Sequence, residues 1–576
     1  MPVEKEKRVV LSDTRVQVSA CVTMLCLKLI VLFVLAGLMN CEDPPEVFAV
    51  IYEWSKLDFT WSDDTAKAKF LDSAQYIPEN TTISGVKLWN DRIFLTLPRW
   101  RRGVPATLAS IPHPDSTTSR DPSPKLEPFP SWEMQQVGNC TALQNVQNIE
   151  IHPNGQMWVI DSGRVNTLSE RSDDRCPPKL VIFDINTMSS SSSSGFVPYD
   201  ANQEHGSGRS YNSQSGYNNE AGYNPQSGSN NDDNSQYGYT QRGYTTPGTG
   251  TYSYHHSSSG AKIVRTFVFS DPVISLDSYL VDIVLDTPNG EYAYISDASE
   301  SDPGIIVYNW KENRAWKVRD NRSMRADPGI RTLTINGMYV TINRNIAGIA
   351  LSPISLREEQ RRLFYSPLSS YSLFSIPTSI LKDEFRSSTD VSGSIKTLGR
   401  RTSITEGMAI DSNGILYYGL LGENAISRWD TNLPFEGNQR MIARDNISLQ
   451  WPASFGFDSD RGNITVVSNR LQNFLAGKVN LNEANYRIIT AYTGARSYLY
   501  PPSGVTQTTP KSTTMSTQMT DRTYNTERSY NDQGDMMDHS QHHHITEDRT
   551  KGNNGEERLV PGMTILLLAL AKLVVA

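Results

Sequence analysis

The 576-residue sequence predicts an all-β chain: a six-bladed β-propeller carrying a disordered Gly/Ser/Tyr insertion and a disordered C-terminal tail. Three observations point there. A pattern of apolar strand, tight turn and branched or aromatic strand recurs six times, with turns at Asn90-Asp91, Asn154-Gly155, Asn289-Gly290, about 355–360, Asn413-Gly414 and Arg461-Gly462. Asn-Gly favours two-residue hairpins because both positions need positive φ. Once the low-complexity segments are set aside, the recurrence allots roughly 63 residues to each unit, enough for a four-stranded sheet and its connections. Long helical periodicity is absent, and 354–362 and 378–386 read as short helices at most.

In chain order, residues 1–40 read as a signal peptide. The apolar run 29–39 follows a charged N-terminus ending at Lys28 and precedes a polar break, with the small residues Ala36 and Gly37 before it. An uncleaved signal anchor starting near Cys21 is the alternative, though Lys28 would then sit inside the span. The propeller is assigned to 45–188 and 261–495. Between its parts, 189–260 lacks Leu, Ile, Met, Trp, Lys and Cys, and is dominated by 17 Ser, 11 Gly and 9 Tyr. Such a composition cannot bury a core. It reads as a tolerated surface insertion or as a cohesive, tyrosine-crosslinkable segment. A polar tail, 496–555, includes His542-His543-His544, which reads as solvated or as a weak metal binder. The hydrophobic end, 556–576, follows small residues and a polar spacer in the order of a lipid-anchor signal. A tail without an anchor is the alternative.

Net charge is −8, with Lys+Arg 54 against Asp+Glu 62, which argues against nucleic acid as a partner. A membrane partner is expected only through the terminal anchor. The five cysteines include no CxxC pair, excluding zinc ribbons and thioredoxin-type sites. In an oxidising compartment Cys140 and Cys176 are the natural disulfide, worth roughly 3 to 4 kcal/mol by chain entropy. Export also suits the sequons at Asn80, Asn139, Asn321, Asn446 and Asn463 as glycosylation sites.

Seven of nine histidines fall in the low-complexity segments. The other two, His113 and His152, sit beside prolines at turns, so a catalytic triad is not expected. If first and second strands join at the Asn-Gly side, the opposite face gathers Asp161, Asp297, Asn469 and Arg470 after second strands. It also gathers Asn148, Asp282, Glu406 and Ser454 near first strands. Carboxylates there could take an amine or a calcium ion, or simply cap turns. Acid–base chemistry would rest on Glu406, Asp161 or Asp297. No metal site and no cofactor is assigned.

Several stretches resemble the insect Yellow and major royal jelly protein family: PRWRRGVPATLASIP at 98–112, LEPFPSW at 126–132, MWVIDSG at 157–163, CPPKLVIFDI at 176–185, GIALSP at 348–353 and SNRLQNF at 468–474. The resemblance implies a secreted, glycosylated six-bladed propeller with a ligand site at one channel mouth. It also implies a role in melanin pigmentation, dopachrome conversion, amine binding or nutrition. By resemblance to amine-binding members, Ser454 and Asn469 match two ligand-binding positions, with Arg470 beside them, and Leu471 stands where an aromatic ring is expected. Loss of that ring would cost about 0.5 to 2 kcal/mol for a cationic ligand.

Three readings are open at this stage. The first is an extracellular binding or structural protein of pigmentation, cuticle or eggshell, with catechols or matrix components as partners. The second is an enzyme, either dopachrome-converting or a calcium-dependent lactonase-like hydrolase suggested by Glu406-Gly407-Met408. The third is a carrier of biogenic amines.

Overall fold

The computed structural model describes residues 46–116, 121–186, 261–286 and 291–502. The signal segment, the insertion 189–260, the Asn289-Gly290 turn, the tail beyond 502 and the anchor-like end lie outside the described residues.

Six four-stranded antiparallel sheets form the propeller. Blade 1 comprises Gly85–Trp89, Arg92–Thr96, Leu108–Pro112 and Glu127–Pro128. Blade 2 comprises Val146–His152, Gln156–Asp161, Lys179–Asp184 and Lys262–Val268. Blade 3 comprises Leu280–Asp286, Tyr292–Asp297, Gly304–Asn309 and Arg314–Val318. Blade 4 comprises Ile346–Leu351, Arg362–Pro367, Ser372–Pro377 and Lys396–Arg400, and blade 5 Met408–Ile410, Ile415–Leu420, Ala425–Asp430 and Gln439–Arg444. Blade 6 takes three strands, Pro452–Asp458, Asn463–Ser468 and Tyr486–Tyr492, from the end of the core. Its outer strand is Ala49–Trp54, which pairs antiparallel with Tyr486–Tyr492. One sheet thus holds both ends of the core, and the first strands neighbour one another in a closed ring around the axis.

The hairpin turns of blades 1, 2, 5 and 6 lie where the sequence placed them. Asn90, Gly155, Gly414 and Gly462 have φ of 51°, 79°, 87° and 68°, the left-handed conformation that Asn and Gly adopt most readily. Second strands are almost wholly buried, as YAYISD and ILYYGL show, because both faces pack against neighbouring blades. The Cys140–Cys176 disulfide is formed across 36 residues, tying the entry of blade 2 to its third strand.

Two features differ from the sequence reading. Residues 496–502, assigned above to the tail, pack into the fold: Tyr498 and Leu499 are buried, and Ser497 bridges Asp411. Tyr498 and Leu499 belong to the main hydrophobic core cluster, with Tyr500 packed against it, and this holds the segment in the fold. A two-stranded hairpin, Thr332–Ile335 with Met338–Thr341, also stands between blades 3 and 4. Its turn is Asn336-Gly337, both residues having positive φ.

Buried ion pairs brace the blades. Asp161, at the end of a second strand, pairs with Lys179 at 2.7 Å, and Asp297, its counterpart in blade 3, pairs with Lys317 at 2.8 Å; all four side chains are at most 2% exposed. Removing one partner of such a pair leaves an uncompensated buried charge. Lys317→Ala is expected to lower stability by about 3 to 5 kcal/mol in urea denaturation. A loss under about 1 kcal/mol would show that Asp297 is not held by this lysine.

Candidate functional site

The polar centre of the channel arises from bulges. In blades 2, 3 and 4 the first strand slips register near its start, between Val146 and Ile149, Leu280 and Ile283, and Ile346 and Ile349. A bulge frees one residue from the ladder and re-aims it. The residues so placed are Asn148, Asp282 and Gly348. The Asp282 carboxylate accepts hydrogen bonds from Asn148 Nδ2 at 2.7 Å, from the Ile349 amide at 3.0 Å and from its own neighbour, the Ile283 amide, at 2.9 Å. One side chain therefore links three first strands. Lys87 and Glu150 form an ion pair at 3.0 Å on the same channel wall, where Ser454 also lies.

Glycine sets how closely the strands approach. A Cβ at Gly348 would come within 2.3 Å of the Glu406 carbonyl oxygen, and one at Gly407 within 2.2 Å of the Ala453 carbonyl oxygen. Only bare backbone fits at these two crossings, and both fix the chain on either side of Glu406.

Below this waist the channel is a cavity of about 50 Å³. Pockets for small organic ligands run to roughly 300–1,000 Å³, so this space suits water. Tyr498 lines its lower end, where its hydroxyl accepts from the Leu285 amide at 2.8 Å and its backbone bonds to Ile410 and Ile354. The opposite, upper face is the one where the first strands begin.

At that face the residues leading into four successive first strands converge: Tyr279 for blade 3, Arg344 for blade 4, Glu406 for blade 5 and Trp451 for blade 6. The Trp451 indole donates to the Glu406 carboxylate, and the Trp100 indole donates to the Tyr279 hydroxyl. Trp451 has φ of 60°, costly for a bulky side chain and a mark of a position imposed by its surroundings. The 332–341 hairpin reaches across from its root to the 421–423 turn of blade 5 and the short helix Leu471–Leu475 of blade 6. It roofs the mouth with Ile335, Val340 and Ile342. Tyr279, Arg344 and Glu406 nevertheless remain half-exposed under this roof.

Burial pushes the Glu406 carboxyl up to about 7; the Trp451 bond works against this and the charge of Asp282 adds to it. Burial likewise raises Asp282 to about 6, opposed by Lys87 and its amide donors and assisted by Glu150. The two acids thus lie close enough for the charge of Asp282 to oppose ionisation of Glu406.

The other residues singled out in the sequence are placed differently. Asp161 accepts from the amides of Gln144, Asn145 and Gly163 besides Lys179. Burial opposes its ionisation, but Lys179 and these donors prevail and hold its carboxyl below the ordinary value. Asp297 accepts from the Ser278 hydroxyl and from the amides of Tyr279 and Ser299. Both carboxylates therefore have saturated structural roles. Asn469 donates to the Ile83 carbonyl and accepts from the Leu471 amide, so both ends of its amide are engaged. Arg470 turns outward to Glu483, at 3.0 Å, and Leu471 is buried beneath the roof. His113 contacts Asp458 at 3.4 Å beside the lower-face turns, and His152 lies at that same face. Asn139, Asn321 and Asn446 are exposed, and Asn80 and Asn463 partly so. Among the described residues no group of three or more His, Cys, Asp or Glu side chains is arranged to hold a metal ion.

Trp100, Tyr279, Arg344, Trp451 and the roofing hairpin were not found from sequence. Asn336-Gly337 between TLTI and MYVT carries the same turn signal as the blades and could have revealed the hairpin. The aromatic residues and Arg344 carry no local signal.

The raised acids make stability depend on pH in the opposite sense to an ordinary ion-paired carboxylate. Between pH 4.5 and 7 the folded state holds more protons at Glu406 and Asp282 than the unfolded chain, so stability falls as pH rises through that window. Glu406→Gln keeps an acceptor for Trp451 and removes the ionisation. It is expected to reduce the loss between pH 5 and pH 8 by about 1 to 2 kcal/mol in urea denaturation. An unchanged pH dependence would place the Glu406 carboxyl at its ordinary value.

The family model described as "Major royal jelly protein" matches residues 144–191 and 258–496. "Protein yellow" of Drosophila melanogaster is 27% identical over 445 residues, covering 76% of this chain and 68% of the relative. The Drosophila erecta protein of the same name is 26% identical over 446 residues, with the same coverage. Among solved structures, a luciferin-regenerating enzyme aligns over 74% of this chain and 97% of its own, with 10% identity and a TM-score of 0.36, values from which no activity follows. These matches, together with the closed ring of six sheets, make the chain a member of the Yellow and major royal jelly protein family.

Proposed function

We propose that this is a secreted Yellow-family protein of pigmentation, cuticle or eggshell, acting by holding a small catechol-type ligand under the roof of the upper mouth. The supporting observation is the meeting of Glu406, Trp451, Tyr279 and Trp100 at the upper end of the channel. Aromatic faces suit a planar ring, and a carboxyl with a pKa near 7 accepts from a phenolic hydroxyl or an amine. Secretion is supported by the N-terminal apolar run, the surface sequons and the disulfide. Attachment to membranes by a lipid anchor is part of the proposal only for a processed C-terminus, and matrix components are further proposed partners.

A second reading, dopachrome conversion, is favoured by the same acids. Isomerisation moves a proton from a ring carbon to a quinone oxygen, without net oxidation. A carboxyl that is half-ionised near neutrality both accepts and returns that proton. Asp282, behind Glu406, makes each ionisation sensitive to the other.

Isothermal titration with dopamine and catechol, alongside a dopachrome-decay assay, separates these readings. Binding is expected to weaken about tenfold in Glu406→Ala, in line with loss of one charge-assisted hydrogen bond. Turnover that is abolished in Glu406→Gln and has a pH optimum near 7 favours the enzyme; heat without turnover favours the binding protein. Absence of both favours a structural role.

A further inference from the structure

Arg344 differs from the other half-buried or buried cations of the core. Lys179 and Lys317 are paired with aspartates, and Arg361 lies 2.5 Å from Asp286. The buried Arg99 donates to the carbonyls of Val104, Leu143, Gln144, Pro105 and Gln135. Arg344 has neither kind of partner: among the described residues its guanidinium makes no ion pair and no hydrogen bond. It lies over the Tyr279 ring, 5.3 Å from the centroid. Its position is nonetheless fixed, since its amide donates to Ser369 Oγ and its carbonyl accepts from the Ser369 amide, both at 3.0 Å.

The nearby acid does not neutralise it. Glu406 is engaged by Trp451 and forms no ion pair with Arg344, although the charges of both reach the Tyr279 hydroxyl. The mouth thus presents a cationic pole and an acidic pole beside a partly exposed tyrosine, with the Trp100 and Trp451 rings buried behind them. A guanidinium with free donors matches a planar anion through two parallel hydrogen bonds, and the match strengthens where water is partly excluded.

We propose that the upper mouth selects aromatic ligands bearing a carboxylate, of the catechol amino-acid class, with Arg344 binding the carboxylate while Glu406 faces the amine or hydroxyl. This rests on the catechol-binding reading above and narrows it. A decarboxylated amine would leave Arg344 without its anion.

The test is isothermal titration of the full mature protein with L-DOPA, dopamine and catechol, in wild type, Arg344→Gln and Arg344→Lys. Wild type is expected to bind L-DOPA at least about tenfold more tightly than dopamine. That ratio should fall to near one in Arg344→Gln and to an intermediate value in Arg344→Lys, which keeps the charge but loses the fork. The wild-type comparison alone stands if a variant fails to fold. Binding of dopamine and catechol without preference for L-DOPA, or a preference that survives in Arg344→Gln, would overturn the role of Arg344 and leave the catechol reading intact. No heat from any of the three would remove both.

Discussion

The carboxylate of Asp282 is the point on which the channel depends. It sits at a bulge in the first strand of blade 3, accepts from Asn148 of blade 2 and caps the Ile349 amide freed by the matching bulge in blade 4. A propeller is held mainly by apolar packing between blades, which sets no particular centre. The Asp282 contacts do set one, because three strands must arrive in register for one carboxylate to serve them all. The close backbone crossings at Gly348 and Gly407 extend that constraint to blades 5 and 6. Glu406 is placed as a consequence of this geometry.

Acids elsewhere in the fold make a useful contrast. Asp161 and Asp297 are more deeply buried than Glu406, yet each has a lysine within 2.8 Å and a set of amide donors. Their charge is fully compensated, and they stabilise loop entries. Glu406 and Asp282 lack a direct cationic partner, and burial is free to raise both. Burial alone does not raise a carboxyl here; burial without a cationic partner does, as at Asp411 too. The ends of the channel reinforce the distinction. Tyr498 lines the lower end, whereas the upper end is covered by a hairpin that leaves Glu406, Tyr279 and Arg344 in reach of solvent.

The blade count was legible because four of the described hairpin turns hold a residue at positive φ and the strands that follow are largely buried, two demands that Asn or Gly and runs such as YAYISD meet locally. Glu406 and Asp282 were legible as positions before or within first strands. The roles of Asp161 and Asp297 were not, because Lys179 and Lys317 lie 18 and 20 residues further on and reach them only through strand pairing. Leu471 matched a ligand position by resemblance, but in three dimensions its side chain supports the roof. Tyr279, Arg344 and Trp451 belong to three different blades and come together only when the ring closes, so no window of sequence could connect them. The 332–341 hairpin was missed for a different reason: its turn signal is clear, but it falls between blades and breaks the repeat.

The central claim is that ligand occupies the space between the hairpin roof and the Asp282 waist. A crystal structure of the mature protein grown with a catechol ligand tests it most directly. Ring density is expected beside Tyr279, with one polar group on Glu406. Ligand density in the lower channel beside Tyr498 or on the outer surface, with the upper mouth holding only water, would contradict it.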